Sequence, residues 1–399
     1  MTKLLIIAPQ NPYPAIDGGK MSIYYPLICL SKYFDIHFAF ITSDPPTQQT
    51  CDHFKSFGIK IYPQIFQTHD TALGFLLNFF FKLPYKFQKY YKKSVVKNLS
   101  TLIKKEDIKY MWCNHAHVAS YALQLRKHHK LGIFLREHNI EYTLVKQAKD
   151  IQSNLILRAL INYQYLKTRA FEISCWSRFN KIYFISDSDL KIARQQTVDT
   201  SKLEILYDSF ASDVTEQNSE KEPFSCIFTA SLSTFQNKYN LKTFVNDVWK
   251  PFVQKDNRWK LYITGNTDEV IRENLGQNFS VFNIKNCGFL DDISAAIQLK
   301  KYFISPTYIG SGLRLKVLNA MSTGAVCIVT PKDAEMLNIL EDGKNIVQFR
   351  DSDDFKLKLM QLESDESMYN SISLQASKVK SLFTWSDYAV KVCNDISST

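Results

Sequence analysis

Gly310-Ser311-Gly312-Leu313-Arg314-Leu315-Lys316 sets two glycines, a hydroxyl and two cations side by side. Glycine lets a chain turn tightly and bring bare backbone N–H groups against a ligand. The string follows an apolar run at 302–306 and opens a helix-like run at 317–323 that stops at Gly324. A helix start directs its dipole and free amides at an anion. Arg314 adds a bidentate fork and Lys316 a mobile point charge. The chemistry this suits is holding a phosphate or diphosphate. A plain strand-to-helix turn flanked by surface cations has the same local sequence, so the surrounding chain must decide.

The elements that would position this loop can be read from the apolar runs. In the first half they fall at 4–8, 36–41, 59–62, 110–113, 132–136, 181–185 and 203–206. The second half has them at 225–229, 259–264, 281–284, 302–305, 326–329 and 345–348. Helix-like periods separate most of them, the longest over 142–178. Such alternation predicts an α/β chain with two successive, doubly wound parallel sheets and a cleft at the strands' carboxyl ends. The polar stretch 212–223 reads as a hinge. The turn after the first run is Pro9-Gln10-Asn11-Pro12-Tyr13-Pro14, so the glycine fingerprint of a dinucleotide site is missing there. Gly18-Gly19, just before a helix at 21–30, either presents amides to an anion or is a simple helix entry.

Composition sets limits. The 399 residues exceed one ordinary core, and 45% hydrophobic content excludes a disordered chain. No apolar run reaches the length of a membrane-spanning helix. The start at Met1 reads as a first strand and not a signal peptide. The eight cysteines are scattered without a C-x-x-C pair, which argues for reduced thiols, no zinc and a cytoplasmic location. Residues 1–200 hold 27 Lys and Arg against 14 Asp and Glu, whereas 201–399 hold 22 against 25. The basic first half therefore expects an acidic partner. Residues 73–83, rich in Leu and Phe, run into a lysine-rich stretch to 105. That pattern fits either an interfacial helix on an anionic membrane or a core helix followed by a solvated basic one; the charge excess favours the membrane. No nucleic-acid-binding motif accompanies the charge.

Nearly the whole chain resembles the GT-B glycosyltransferases, specifically the large retaining family four. The residues that carry the likeness are Asn11-Pro12-Tyr13-Pro14 with Gly18-Gly19, Arg136-Glu137-His138-Asn139-Ile140-Glu141 and Cys287-Gly288-Phe289-Leu290-Asp291-Asp292. The loop at 310–316 continues into Val317-Leu318-Asn319-Ala320-Met321-Ser322-Thr323-Gly324 and is similar to the subgroup bearing Gly-x-Gly-x-Arg-x-Lys. Trp385 resembles the start of a helix crossing back to the N-terminal domain. The resemblance implies an acceptor domain at 1–207, a nucleotide-sugar domain at 208–382 and the crossover helix at 383–399.

It further implies a UDP- or GDP-sugar donor, a glycan or lipid-linked acceptor, and a peripheral location at the inner membrane face. Arg314 and Lys316 would stabilise the departing diphosphate, with Gly310, Ser311, Gly312, Gly18, Gly19, Gly288, Phe289, Asn319 and Glu335 on the donor side. His138 is the chosen base for the acceptor hydroxyl; His115 and His117 are rivals, and Glu137 is placed nearby. Glu141 reads more simply as a helix-start charge. Asp187-Ser188-Asp189 and Asp351-Ser352-Asp353 read as helix caps and not metal ligands, and no metal or other cofactor is expected. Two departures stand out: Ile309 and Asn319 occupy positions where many members carry glutamates. They keep open a catalytically degenerate binding subunit, or a sugar-nucleotide epimerase on the same fold.

Overall fold

The structure, a computed structural model, describes residues 1–196, 199–209 and 220–398. The first sheet contains β1 (Thr2–Ala8), β2 (Phe34–Thr42), β3 (Lys60–Ile65), β4 (Tyr110–Asn114), β5 (Gly132–Glu137), β6 (Lys181–Phe184) and β7 (Leu203–Ile205). Its order is β3-β2-β1-β4-β5-β6-β7, all parallel. The second sheet contains β8 (Glu222–Thr229), β9 (Lys260–Thr264), β10 (Ile284–Asn286), β11 (Lys300–Ser305), β12 (Val326–Val329) and β13 (Val347–Gln348). Its order is β10-β9-β8-β11-β12-β13, again parallel. Central strands such as β1, β4, β11 and β12 are largely buried, which is why they read as continuous apolar runs and not as alternations. Leu4 to Ala8 in β1 are all shielded from solvent.

Strand order reverses between β1 and β4 in one sheet and between β8 and β11 in the other. Loops leaving the strands at these switch points splay apart and leave a crevice. His115 follows β4, and the 310–316 loop follows β11. The sheets belong to two compact units. One holds Met1–Asp208, Ser311–Leu313 and Trp385–Thr399; the other holds Ser209–Gly310 and Arg314–Thr384. In the first unit the helix Trp385–Ser397 lies on the helix Gly18–Leu30 through Tyr388, Ala389, Val392 and Ile396. Cys29 Sγ donates to Trp385 O (2.9 Å), and Tyr183 Oη donates to Asp395 (2.8 Å).

Three expectations need adjusting. The helix expected over 142–178 is two, Glu141–Asp150 and Leu155–Arg178, because the Asn154 side chain caps the amides of Ile156 and Leu157 (3.0 and 3.1 Å). β10 starts at Ile284 and not at 281: residues Phe279–Phe282 form a 3-10 turn, and Asn283 closes it in the left-handed region (φ 53°). Of the expected hinge at 212–223, residues 212–219 lie outside the described residues, whereas Glu222 and Pro223 already belong to β8. All eight cysteines are free thiols.

Candidate functional site

The donor-side loop is built from β11 outward. Thr330 Oγ1 ties the exits of β11 and β12 together, accepting from Thr307 N (3.1 Å) and donating to Thr307 O (2.8 Å). Asn240, in the helix Phe235–Phe244, then grips the chain. Its Oδ1 accepts from Tyr308 N and Ile309 N (2.9 Å each), and its Nδ2 donates to Ile309 O (2.9 Å). Gly310 has φ 141°, and a Cβ there would lie 1.7 Å from Arg314 Nη2. The guanidinium folds back over the space that a side chain would fill. Arg314 Nε also lies 3.6 Å from Asp333 Oδ1, and Asp333 is buried. Burial pushes the Asp333 carboxyl up, against the pull of Arg314 and Lys316. Lys316 stands in the first turn of the helix Leu315–Ser322, its Nζ 4.6 Å from the centre of the Phe228 ring. Burial lowers its ammonium to about 8, with Asp333 opposing and Arg314 assisting.

Asn240 therefore sets where this turn begins. Asn240→Ala removes three hydrogen bonds and leaves the buried Ile309 backbone unsatisfied. The expected cost is about 2–3 kcal/mol by chemical denaturation. A loss below about 0.5 kcal/mol would show that the loop holds its shape without the clamp.

The tip of the same turn, Ser311–Leu313, belongs with the first unit. Ser311 Oγ lies 3.0 and 3.1 Å from the two carboxylate oxygens of Asp189, and Gly312 N donates to Asp189 Oδ2 (3.0 Å). Ile140 N donates to Ser311 Oγ (3.2 Å). Gly312 has φ 75°, and a Cβ there would come 2.2 Å from His138 O, so only glycine fits. The amide and hydroxyl expected to meet a phosphate here hold an anion, the protein's own carboxylate. Asp189 is itself fixed by Ser186 Oγ, which caps its amide (3.2 Å), and Asp187 accepts from Tyr207 Oη (2.8 Å).

At the ends of β4 and β5 the three candidate histidines come together. The His115 and His138 rings stack with centres 3.6 Å apart and planes 14° apart, and His117 lies 5.9 Å from His115. His138 is locked in a network. Arg136 Nη1 donates to its Nε2 (2.8 Å), which requires the proton on Nδ1, facing Ser22 Oγ (3.1 Å). Ser22 Oγ donates to Asp208 Oδ2 (2.5 Å), and Arg136 Nη2 is ion-paired with Asp208 Oδ1. Both ring nitrogens of the expected base are thus already engaged. His115 differs: among the described residues its Nε2 is buried without a hydrogen-bond partner, and its backbone holds φ 78°. Burial, then the charge of His117 on His115 and of His115 on His138, keeps both far below the usual imidazole range, and burial takes His117 to about 4. All three are neutral near pH 7.

Glu137, expected beside the acceptor, faces the other way. Side chains alternate along β5, so Phe134 and Arg136 point to the helices Gly18–Leu30 and Trp385–Ser397, whereas Leu135 and Glu137 point to Leu155–Arg178. Glu137 accepts from Trp176 Nε1 (3.2 Å) and is raised to about 8, chiefly by burial. Glu172, also buried, caps the helix Glu141–Asp150 by accepting from the amides of Glu141 and Tyr142 (2.7 Å each). Capping thus falls to a residue thirty positions on, while the Glu141 carboxylate pairs with Lys86. Burial would raise Glu141, but Lys86 and His117 outweigh it and hold it at about 2.

The remaining candidates are spread out. Gly18 and Gly19 form the exposed first turn of their helix, where Asp17 Oδ1 accepts from Lys20 N (2.9 Å). Gly288 (φ 66°) accepts from Gly265 N (2.7 Å) and leads to an exposed Phe289. Asn319 is half-buried within the helix Leu315–Ser322, and Glu335 is exposed at the end of the helix Pro331–Ala334. Asp351 caps the amides of Asp353 and Asp354 (3.1 and 2.9 Å). Among the described residues no group of three or more His, Cys, Asp or Glu is placed to hold a metal. Sequence reasoning missed Asn240, Asp333, Asp208, Ser22 and Glu172; only the alternation of β5 signalled that residues 136 and 137 find different partners.

Two doubly wound parallel sheets with switch-point loops of this kind define the GT-B architecture. HepE of Anabaena, solved with UDP, with UDP and glucose, and with UDP-glucose, shares the fold; the complex with UDP has a TM-score of 0.69 at 12% identity over 100% of both chains. Sucrose-phosphate synthase of Thermosynechococcus elongatus gives a TM-score of 0.70 at 12% identity over 99% of this chain and 98% of that one. Residues 223–365 match the family Glycosyl transferases group 1. The chain thus has the GT-B fold, and its residues 223–365 carry the likeness to that glycosyltransferase family. An uncharacterized 44.6 kDa protein in the cps region of Klebsiella pneumoniae is 23% identical over 349 residues, 84% of each chain.

Proposed function

We propose that the chain is a retaining glycosyltransferase that moves a sugar from a UDP- or GDP-sugar to a glycan or lipid-linked acceptor in surface polysaccharide synthesis, at the inner membrane face. The observation that carries this reading is the cationic turn of Arg314 and Lys316 at the switch-point exit of β11. The UDP and UDP-glucose complexes of HepE and the cps-region setting of the Klebsiella protein agree with it. As the bond from the sugar's anomeric carbon to the diphosphate breaks, its electron pair stays on the departing oxygen. Arg314 and Lys316 neutralise that charge, and exclusion of water strengthens the effect. The acceptor oxygen bonds to the anomeric carbon and gives up its proton. His115, whose Nε2 has no partner among the described residues, is our candidate to take it; His138, fixed as the Nδ1–H tautomer, positions the stacked ring. Ile309 replaces a glutamate of the resembling family and presents only backbone, held by Asn240, so contact with the donor sugar falls to Glu335, Asn319 and the Gly288-Phe289 turn.

Titrating the protein with UDP-, GDP- and ADP-sugars while following the unfolding midpoint tests the reading, because a ligand bound only to the folded state raises it. One nucleotide class should stabilise, and its affinity should report Lys316. The free ammonium titrates at about 8, and a bound diphosphate raises that value. UDP-glucose affinity should therefore be flat below about pH 7 and fall about tenfold per unit above about pH 8, a break that Lys316→Arg should remove. Stabilisation by none of the three classes would sink the assignment. Binding without turnover on any acceptor would instead identify a binding subunit, and donor breakdown without an acceptor an epimerase.

A further inference from the structure

We propose that residues 72–83, together with the first turns of the helix Leu155–Arg178, form a surface that docks on an anionic lipid bilayer. The inference rests on the membrane-face reading given above and supplies the surface for it. None of the six residues of the helix Ala72–Leu77 is buried. Leu73, Leu76 and Leu77 are exposed, and Phe79, Phe80 and Phe81 continue the patch, with Phe80 84% open to solvent. A water-facing turn ordinarily hides such residues and shows its polar groups. Here the reverse holds. Asn78 is buried, accepting from Gln164 Nε2 (3.0 Å) and Lys167 Nζ (2.9 Å) and donating to Leu83 O (2.9 Å). Lys167 Nζ also donates to Phe81 O (2.6 Å), and the Tyr163 ring stacks on Phe79 at 4.7 Å. The polar atoms are satisfied inward while the apolar side chains are held outward on a fastened frame.

The same frame extends the patch. Ile156 lies seven residues, two helical turns, before Tyr163 and so shares its face, and Leu155, Ile156 and Leu157 are all exposed. Charge chooses the occupant. Residues 73–105 contain eight lysines and no acidic residue. Glu141 and Asp70 pair with Lys86 and Lys89 from outside the segment, whereas Lys82, Lys92, Lys93 and Lys97 are exposed. A second copy of the chain on this face would bring like charges together. An anionic bilayer accepts both features, with the leucine and phenylalanine side chains in the interfacial layer and the lysines at the headgroups.

Co-sedimentation of the full chain with phosphatidylcholine vesicles, with and without phosphatidylglycerol, tests the proposal. At about 0.1 M salt the anionic vesicles should hold the chain at least about tenfold more strongly, and about 0.5 M salt should remove the difference. The double variant Leu76→Asp, Phe80→Asp should lose at least about tenfold in binding to the anionic vesicles. Lys92→Glu with Lys93→Glu should weaken only the anionic preference. Unfolding midpoints and UDP-glucose affinity should match the parent in both variants, so a failure of donor binding is seen separately from a failure of docking. Unchanged vesicle binding by the aspartate variant overturns the proposal. So does self-association in solution that the aspartate variant abolishes, since that assigns the face to a second copy.

Discussion

Lys316→Ala should lower sugar transfer about 30- to 1,000-fold, corresponding to about 2–4 kcal/mol of lost transition-state stabilisation. Arg314→Ala should do the same, and Arg314→Lys should not rescue it. Lysine cannot place a planar fork both over Gly310 and beside Asp333. Arg314→Ala also leaves the Asp333 carboxyl buried without its cation, so part of its effect is structural. Adding Asp333→Asn should recover stability and leave turnover depressed. Single-turnover rates at saturating donor, set beside denaturation curves for the same variants, separate the two contributions. Full transfer by Lys316→Ala would remove the turn from the chemistry.

The second large effect belongs to the first unit's interior. Arg136 is fully buried and Asp208 almost so, and their ion pair also organises Ser22 and His138. Asp208→Ala leaves a guanidinium in the core without its counter-charge, and the expected loss is about 3–5 kcal/mol of folding stability. At the size of this unit each kcal/mol shifts the midpoint by about 2–4 °C, so a fall of about 6–20 °C should be seen. Replacing both partners, Arg136→Met with Asp208→Leu, should return much of that loss while freeing the His138 ring. A single-variant cost below about 1 kcal/mol would mean that water reaches Arg136 and the pair is not closed.

Legibility in the sequence followed distance along the chain. Buried parallel strands are written as short apolar blocks, so each of the thirteen strands among the described residues overlaps an apolar run, β10 by Ile284 alone. The errors fell where a local polar group outweighed the apolar pattern. Asn154 split one long helix with its side chain, and Asn283, in the left-handed region, delayed β10 behind an exposed Val281. The cationic turn was readable because its glycines, cations and helix start are contiguous. Its supports were not. Asn240 lies about seventy residues before the loop it grips, and Asp208 lies seventy-two after Arg136. Nothing local marks such partners. Glu137 shows the same gap: the motif suggested a place beside His138, but strand alternation turns it to Trp176.

The chain visits its first unit three times: as Met1–Asp208, as Ser311–Leu313 and as Trp385–Thr399. No single cut can therefore liberate either half intact. Stopping at Asp208 would strip Tyr388, Val392 and Ile396 from the helix Gly18–Leu30 and leave bare core in water. Chimeras that borrow another protein's donor half must retain this chain's own carboxyl-terminal helix and graft the borrowed sequence inside it, as an insertion and not as a tail.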